Sequence, residues 1–164
     1  MSKFLAVFDL DYTLWPFNAD QVVCPPLRLV KKGVLRDKLG NLVALYPEIR
    51  EILAFLRAEN VTIGIASKDR APGLCREILT KHQVINYFDP NLIEIYPCGT
   101  KCDQFDKFWK LGWKPKNTFF FDDSRYNIKC LQKVGVHSVL VTQKEGATLD
   151  LVKAALEHVR NSSK

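Results

Sequence analysis

Two aspartates two residues apart, Asp9 and Asp11, close the apolar run AVF and are followed by Thr13. A strand that only has to stop can do so with one turn residue, so a second carboxylate in the same short segment asks for another purpose. More polar groups stand in the same kind of place, close behind an apolar run. Ser67 and Lys68 follow VTIGIA, Lys101 comes shortly after LIEIYP, and Asp122-Asp123 end TFFFDD. In parallel α/β sheets, ligands bind at the carboxyl ends of the strands. If these runs are strands of one sheet, a hydroxyl, two amines and four carboxylates face a common crevice.

Such a crevice has a charge problem. Two carboxylates about 4 Å apart repel by about 4 kcal/mol at an effective dielectric of about 20, and three or four together do not all stay ionised unaided. Either some are protonated or a divalent cation neutralises them. With no His or Cys in the set, the all-oxygen ligand field suits Mg²⁺ better than zinc. Lys101 adds a second cation, a combination that fits binding a phosphate dianion. Asp9 is then placed to attack phosphorus as a carboxylate nucleophile, and Ser67 to donate a hydrogen bond to the phosphoryl oxygens. Asp11 is free to protonate the leaving oxygen and afterwards to activate water.

The elements that must position these groups alternate. Strands are expected at 4–9, 61–66, 92–96, 118–122 and 136–142, mostly as continuous apolar runs of the kind that strands covered on both faces show. Between them the period changes to that of helices: one opened by Pro47, then 71–81, 103–111, a helix capped by Ser124, and a last one through Leu149, Val152, Leu156 and Val159. The alternation predicts an α/β fold with a parallel sheet. One stretch, 17–45, is far too long for an ordinary strand-to-helix connection. Within it VLRDKLGNLVALY reads as a hairpin turning at Leu39-Gly40-Asn41. Its basic residues Arg28, Lys31, Lys32, Arg36 and Lys38 are expected to overhang the crevice, and the three tryptophans to be packing residues, with Trp15 beside the site.

With 164 residues, 47% of them hydrophobic, the chain reads as one domain with a real core. No apolar run approaches a membrane span, and the N-terminal run is too short for a signal-peptide core, so a cytoplasmic protein is expected. Five scattered cysteines suit reduced thiols. None has an arginine six residues on, which excludes a thiol phosphatase, and no GxxxxGK[ST] or GxGxxG loop is present. The net charge of +6 favours anionic partners, but no Arg-rich tract or RNP-type signature points to nucleic acid.

The four motifs, DLDYT, Ser67 after a strand, Lys101 and Asp122-Asp123, resemble in order those of the haloacid dehalogenase superfamily. The fuller runs FDLDYTLWP, LYPE, EIYP and FFDD resemble its eukaryotic magnesium-dependent phosphatase family in particular. That resemblance implies a three-layer Rossmann-like fold with helices on both faces of a parallel sheet, and a short hairpin insert in place of a large cap domain. It implies Asp9 as nucleophile and Asp11 as the acid/base that also lends its backbone carbonyl to Mg²⁺. Asp123 would complete the metal site, with Asp122 a ligand directly or through water, while Ser67 and Lys101 hold the phosphoryl group. Lys68 departs from the arginine associated with that place, which bears on substrate choice. Phosphotyrosine and sugar or ketosamine phosphates are the implied substrates.

Two other classes compete with a phosphomonoester hydrolase. A receiver-type phospho-acceptor also combines acidic residues, a hydroxyl and a lysine, but its acidic pair ends the first strand and its phosphorylated Asp the third. A phosphate-binding interaction domain without activity would not need the full catalytic set.

Overall fold

The computed structural model describes residues 2–164. Five strands form one sheet: β1 (Leu5–Phe8), β4 (Thr62–Lys68), β5 (Ile93–Tyr96), β6 (Thr118–Asp122) and β7 (His137–Leu140). They lie in the order β5-β4-β1-β6-β7, and every neighbouring pair is parallel. β1 is therefore central, with Phe8 level with Ile65 on one side and Phe121 on the other. All four of its side chains are buried, as the apolar run requires. Ala6 and Phe8 point into one core and Leu5 and Val7 into the other, the two-residue period of a strand covered on both faces.

The covering helices follow their apolar spacing. On the first face lie α2 (Ile49–Ala58), α3 (Pro72–Lys81) and α6 (Leu149–Ser162), which bury Ile49, Ile52, Leu53 and Leu56, then Cys75, Ile78 and Leu79, then Val152, Ala155, Leu156 and Val159. On the second lie α4 (Lys101–Lys110) and α5 (Arg125–Lys133), with Phe105, Phe108, Ile128 and Leu131 inward. Ser124 caps α5 as expected, its hydroxyl accepting from the Asn127 amide. Helix α4 starts two residues before the predicted boundary. Thr100 and Asp103 form a reciprocal capping box there, which places Lys101 in the first turn, facing the site. Phe8 stacks on Phe121 at 5.0 Å between ring centroids, tying the two strands that carry the aspartates.

The 17–45 insert differs from its prediction. It begins with a four-residue helix, α1 (Ala19–Val22), and its paired strands are β2 (Arg28–Leu29) and β3 (Leu35–Arg36), one step upstream of the expected hairpin. The turn at Leu39-Gly40-Asn41 does form, and the pairing beyond it is short: a bridge joins Arg36 to Leu42, with the Asp37 amide donating to Asn41 and the Val43 amide to Leu35. The cause is Asp37. Its buried carboxylate accepts from the backbone amides of Cys24, Leu39 and Asn41 and from the Asn41 side chain, so the chain around it is shaped by one side chain rather than by a ladder.

Candidate active site

Asp9 follows β1 directly, its amide bonded to the carbonyl of Phe121 at 3.0 Å, so the β1–β6 register carries one step past the last strand residue. The chain then turns tightly. Thr13 and Leu14 donate to Leu10, Tyr12 donates to Trp15, and Tyr12 adopts φ 56, which brings Asp11 round beside the strand ends. At the same edge β4 ends in Ser67-Lys68 and β6 in Asp122, while α4 opens on Lys101. A crevice of about 300 Å³ is lined by Asp9, Asp11, Lys68, Lys101, Asp122 and Asp123 together with Tyr12, Asn18, Ser124, Asn127 and Gln143.

Lys101 organises the floor. It is 5% exposed, and its ammonium donates to Asp9 Oδ1 at 2.8 Å and to the Ala66 carbonyl at 2.5 Å, with Asp122 Oδ2 at 3.6 Å. Burial disfavours its charge, but Asp9 and Asp122 outweigh that and raise its pKa. Burial also lifts the Asp9 carboxyl above its ordinary value, opposed by Lys101. Asp122, fully buried, is pushed up to about 7 by burial and by Asp9, against the pull of Lys101, the Ser124 amide (2.8 Å) and Asn127 Nδ2 (2.9 Å). Asp123 is half-buried and accepts from Gln143 Nε2 at 3.0 Å.

Oxygens of Asp9, Asp122 and Asp123 all lie within 4.8 Å of one another. Burial favours the neutral forms of Asp9 and Asp122, and a cation among these oxygens would offset that cost. The donor set, three hard oxygens with no sulfur or imidazole, fits Mg²⁺.

Asp11 faces the other way. Its Oδ1 accepts from Trp15 Nε1 at 2.7 Å and from the Ala19 amide at 3.0 Å, and its carboxylate groups with Asp20 and Asp69 rather than with Asp9. Burial pushes it up to about 7, with the charge of Asp69 adding to that rise and the Trp15 and Ala19 hydrogen bonds opposing it. Asp69 is 3% exposed. Its Oδ1 accepts from the Ala71 amide, and its buried Oδ2 has no hydrogen-bond partner among the described residues. A carboxyl poised near 7 gives and takes protons at neutral pH, as acid-then-base chemistry demands.

Of the residues singled out from sequence, Asp9, Asp11, Lys68, Lys101, Asp122 and Asp123 come together. Ser67 is 1% exposed and is not among the residues that line the crevice. Its carbonyl accepts from Gln104, while its hydroxyl makes no hydrogen bond among the described residues and is not cut off from solvent. Trp15 is fully buried with its indole N–H on Asp11, packed against Phe17. The insert does not overhang the crevice as expected, since Asn18 is its only lining residue. Sequence reasoning missed the partners: Asp69 behind Asp11, Asn127 on Asp122 and Gln143 on Asp123. Asn127 alone had a signal, its place in the first turn of the helix that follows Asp122-Asp123.

The sequence model of a family described as acid phosphatase matches residues 3–162. Magnesium-dependent phosphatase 1 of Homo sapiens is 38% identical over 154 residues, spanning 93% of this chain and 85% of that protein. A HAD-like hydrolase superfamily protein of Schizosaccharomyces pombe is 34% identical over 142 residues, covering 79% of this chain and 80% of its own. Among solved structures, the phosphatase domain of a Bacteroides fragilis protein complexed with Mg superposes with a TM-score of 0.65 at 16% identity. It covers 93% of this chain, which spans 40% of that one.

Proposed function

This chain belongs to the acid phosphatase family of the haloacid dehalogenase superfamily, and on that premise we propose that it is a Mg²⁺-dependent phosphomonoester hydrolase in which Asp9 and Asp11 divide the reaction. The observation that carries the reading is the pairing of two unlike carboxyls two residues apart. Asp9 is held by Lys101 beside the oxygen cluster, while Asp11 is turned away from it with its pKa near 7.

A substrate phosphate enters with its oxygens toward Lys101 and Lys68, and the Ser67 hydroxyl donates a hydrogen bond to it. Asp9 attacks phosphorus in line with the ester oxygen; the O–P bond to Asp9 forms as the bond to the leaving group breaks. Asp11 passes its proton to the departing oxygen, which leaves as an alcohol or phenol. Now ionised, Asp11 takes a proton from water, whose oxygen attacks the aspartyl-phosphate and releases inorganic phosphate, restoring Asp9 and protonated Asp11. Asp9, Asp123, the Asp11 backbone carbonyl and Asp122, directly or through water, would hold Mg²⁺, which would supply fixed positive charge against the carboxylates and phosphate oxygens. A phospho-acceptor built to retain its phosphate gains nothing from a poised acid such as Asp11.

The insert leaves the crevice open, which supports both phosphotyrosine side chains and sugar or ketosamine phosphates as substrates. Lys68 is exposed at the rim and pairs with no acid among the described residues, so it is free to meet a substrate anion. Phosphate release from p-nitrophenyl phosphate tests the reading, with wild type in Mg²⁺ and in EDTA and with Asp9→Asn. Release that needs Mg²⁺ and vanishes in the variant is expected. Equal release from all samples would overturn it.

A further inference from the structure

The loop after β7 carries no residue that the motifs singled out, yet it reaches into the site. The Gln143 side-chain amide donates from Nε2 to Asp123 Oδ2 at 3.0 Å, while the Gln143 backbone carbonyl accepts from the Tyr46 hydroxyl at 2.5 Å. The turn that presents Gln143 is closed by Gly146, whose amide donates to Thr142 at 2.7 Å. Gly146 has φ +60, and a Cβ there would stand 2.2 Å from the Tyr46 ring and 2.8 Å from the Thr13 carbonyl. The Ala147 amide donates to that same Thr13 carbonyl, and the Tyr46 amide to the Leu14 carbonyl, both at 2.9 Å. Three segments are thus pinned together: the turn behind Asp9, the LYPE segment before α2, and the 142–147 turn. Tyr46 is the bolt, its hydroxyl donating to the Gln143 backbone carbonyl; burial, with Asp123 and Tyr12 nearby, pushes its pKa up to about 12.

The two members of the aspartate pair differ in how they are held. Asp122 is fully buried and fixed by two donors of its own helix turn, Ser124 and Asn127. Asp123 lies past the end of β6, half-buried, and Gln143 is its one hydrogen-bond partner among the described residues.

We propose that Gln143 is a positioning residue that aims the Asp123 carboxylate into the oxygen cluster and so sets Mg²⁺ affinity, with Tyr46 and Gly146 holding the turn that presents it. The assignment rests on the reading of Asp123 as a metal ligand. Residues that orient metal ligands are worth about 10–100-fold in affinity. A single exposed hydrogen bond belongs at the low end, so Gln143→Ala weakens Mg²⁺ binding about tenfold.

The test is isothermal titration with Mg²⁺ alone on wild type, Gln143→Ala, Tyr46→Phe and Asp123→Asn, beside metal-free melting temperatures. Gln143→Ala is expected to bind Mg²⁺ about tenfold more weakly with its metal-free melting temperature unchanged, and to shift the Mg²⁺ concentration for half-maximal activity by the same factor. Tyr46→Phe keeps the ring and loses the hydroxyl, and shows a smaller loss of the same kind. If Gln143→Ala binds Mg²⁺ as wild type does while Asp123→Asn binds weakly, the role of Gln143 is refuted and Asp123 stands. If Asp123→Asn also binds as wild type, the reading of Asp123 falls and takes the inference with it.

Discussion

Lys101→Met keeps the length and apolar stem of the side chain and removes only the ammonium. Among the described residues that ammonium is the one cation buried against Asp9, at 2.8 Å, and Asp122, at 3.6 Å. Removing it leaves two desolvated carboxyls facing each other, and the Ala66 carbonyl loses its side-chain donor. Breaking a buried pair by deleting one partner costs about 3–5 kcal/mol, because the charge left behind is uncompensated. The lower end applies here, since both carboxyls are already raised and pick up a proton more readily than an ordinary aspartate. At about 2–4 °C per kcal/mol for a chain of this length, the melting temperature falls by about 10 °C. The assay is thermal unfolding at neutral pH in EDTA and then with Mg²⁺. Part of the loss should return with the metal, which supplies positive charge to the same oxygens. A variant that melts within about 2 °C of wild type in EDTA would refute the charge balance assigned to this site.

Asp11→Asn should cut turnover of an alkyl phosphate by about 10²–10⁴-fold while leaving Mg²⁺ binding in place, because the Asp11 side chain faces Asp69 rather than the oxygen cluster; steady-state kinetics beside a Mg²⁺ titration checks both halves. Gly146→Ala should destabilise the protein by at least about 2 kcal/mol, read from denaturant midpoints, since φ +60 and the Tyr46 ring leave a methyl no room. His82 is held below its ordinary pKa by burial, with Arg50 adding to that and the Val43 carbonyl, 2.7 Å from Nε2, opposing it. The unfolded chain therefore takes up the proton first, so the stability His82 contributes is present above about pH 6.5 and is lost as pH falls toward its folded value. Urea midpoints across that range should drop more steeply for wild type than for His82→Gln.

Much of this architecture was legible because the strands are buried on both faces and read as unbroken apolar runs. Thr118–Asp122 matches its prediction residue for residue, and β1, β4, β5 and β7 fall on their runs with ends shifted by a residue or two. Helix α4 began earlier than its apolar period suggested because Thr100 and Asp103 cap it, a polar signal outside that period. The insert was misread because a single buried carboxylate, Asp37, sets its shape, and nothing in apolar alternation reveals such a residue. The candidate site was legible as a set of strand-end residues but not as a network. Asp69 was hidden in SKD, and Gln143 meets Asp123 only through a turn whose course depends on Tyr46, nearly a hundred residues away in the chain. Likewise the partner of the Trp15 indole follows from the tight turn through Tyr12, not from spacing alone.

In the proposed mechanism Asp9 carries the phosphoryl group between two half-reactions. Asp11→Asn isolates it, because p-nitrophenolate leaves without a proton donor while hydrolysis of the acyl-phosphate still needs a base. That variant, given p-nitrophenyl phosphate and Mg²⁺, quenched in acid and mapped by mass spectrometry, should carry one phosphoryl group on the peptide containing Asp9. An unmodified peptide, or a phosphoryl group on any other residue, under conditions where wild type turns over, would rule out Asp9 as the nucleophile.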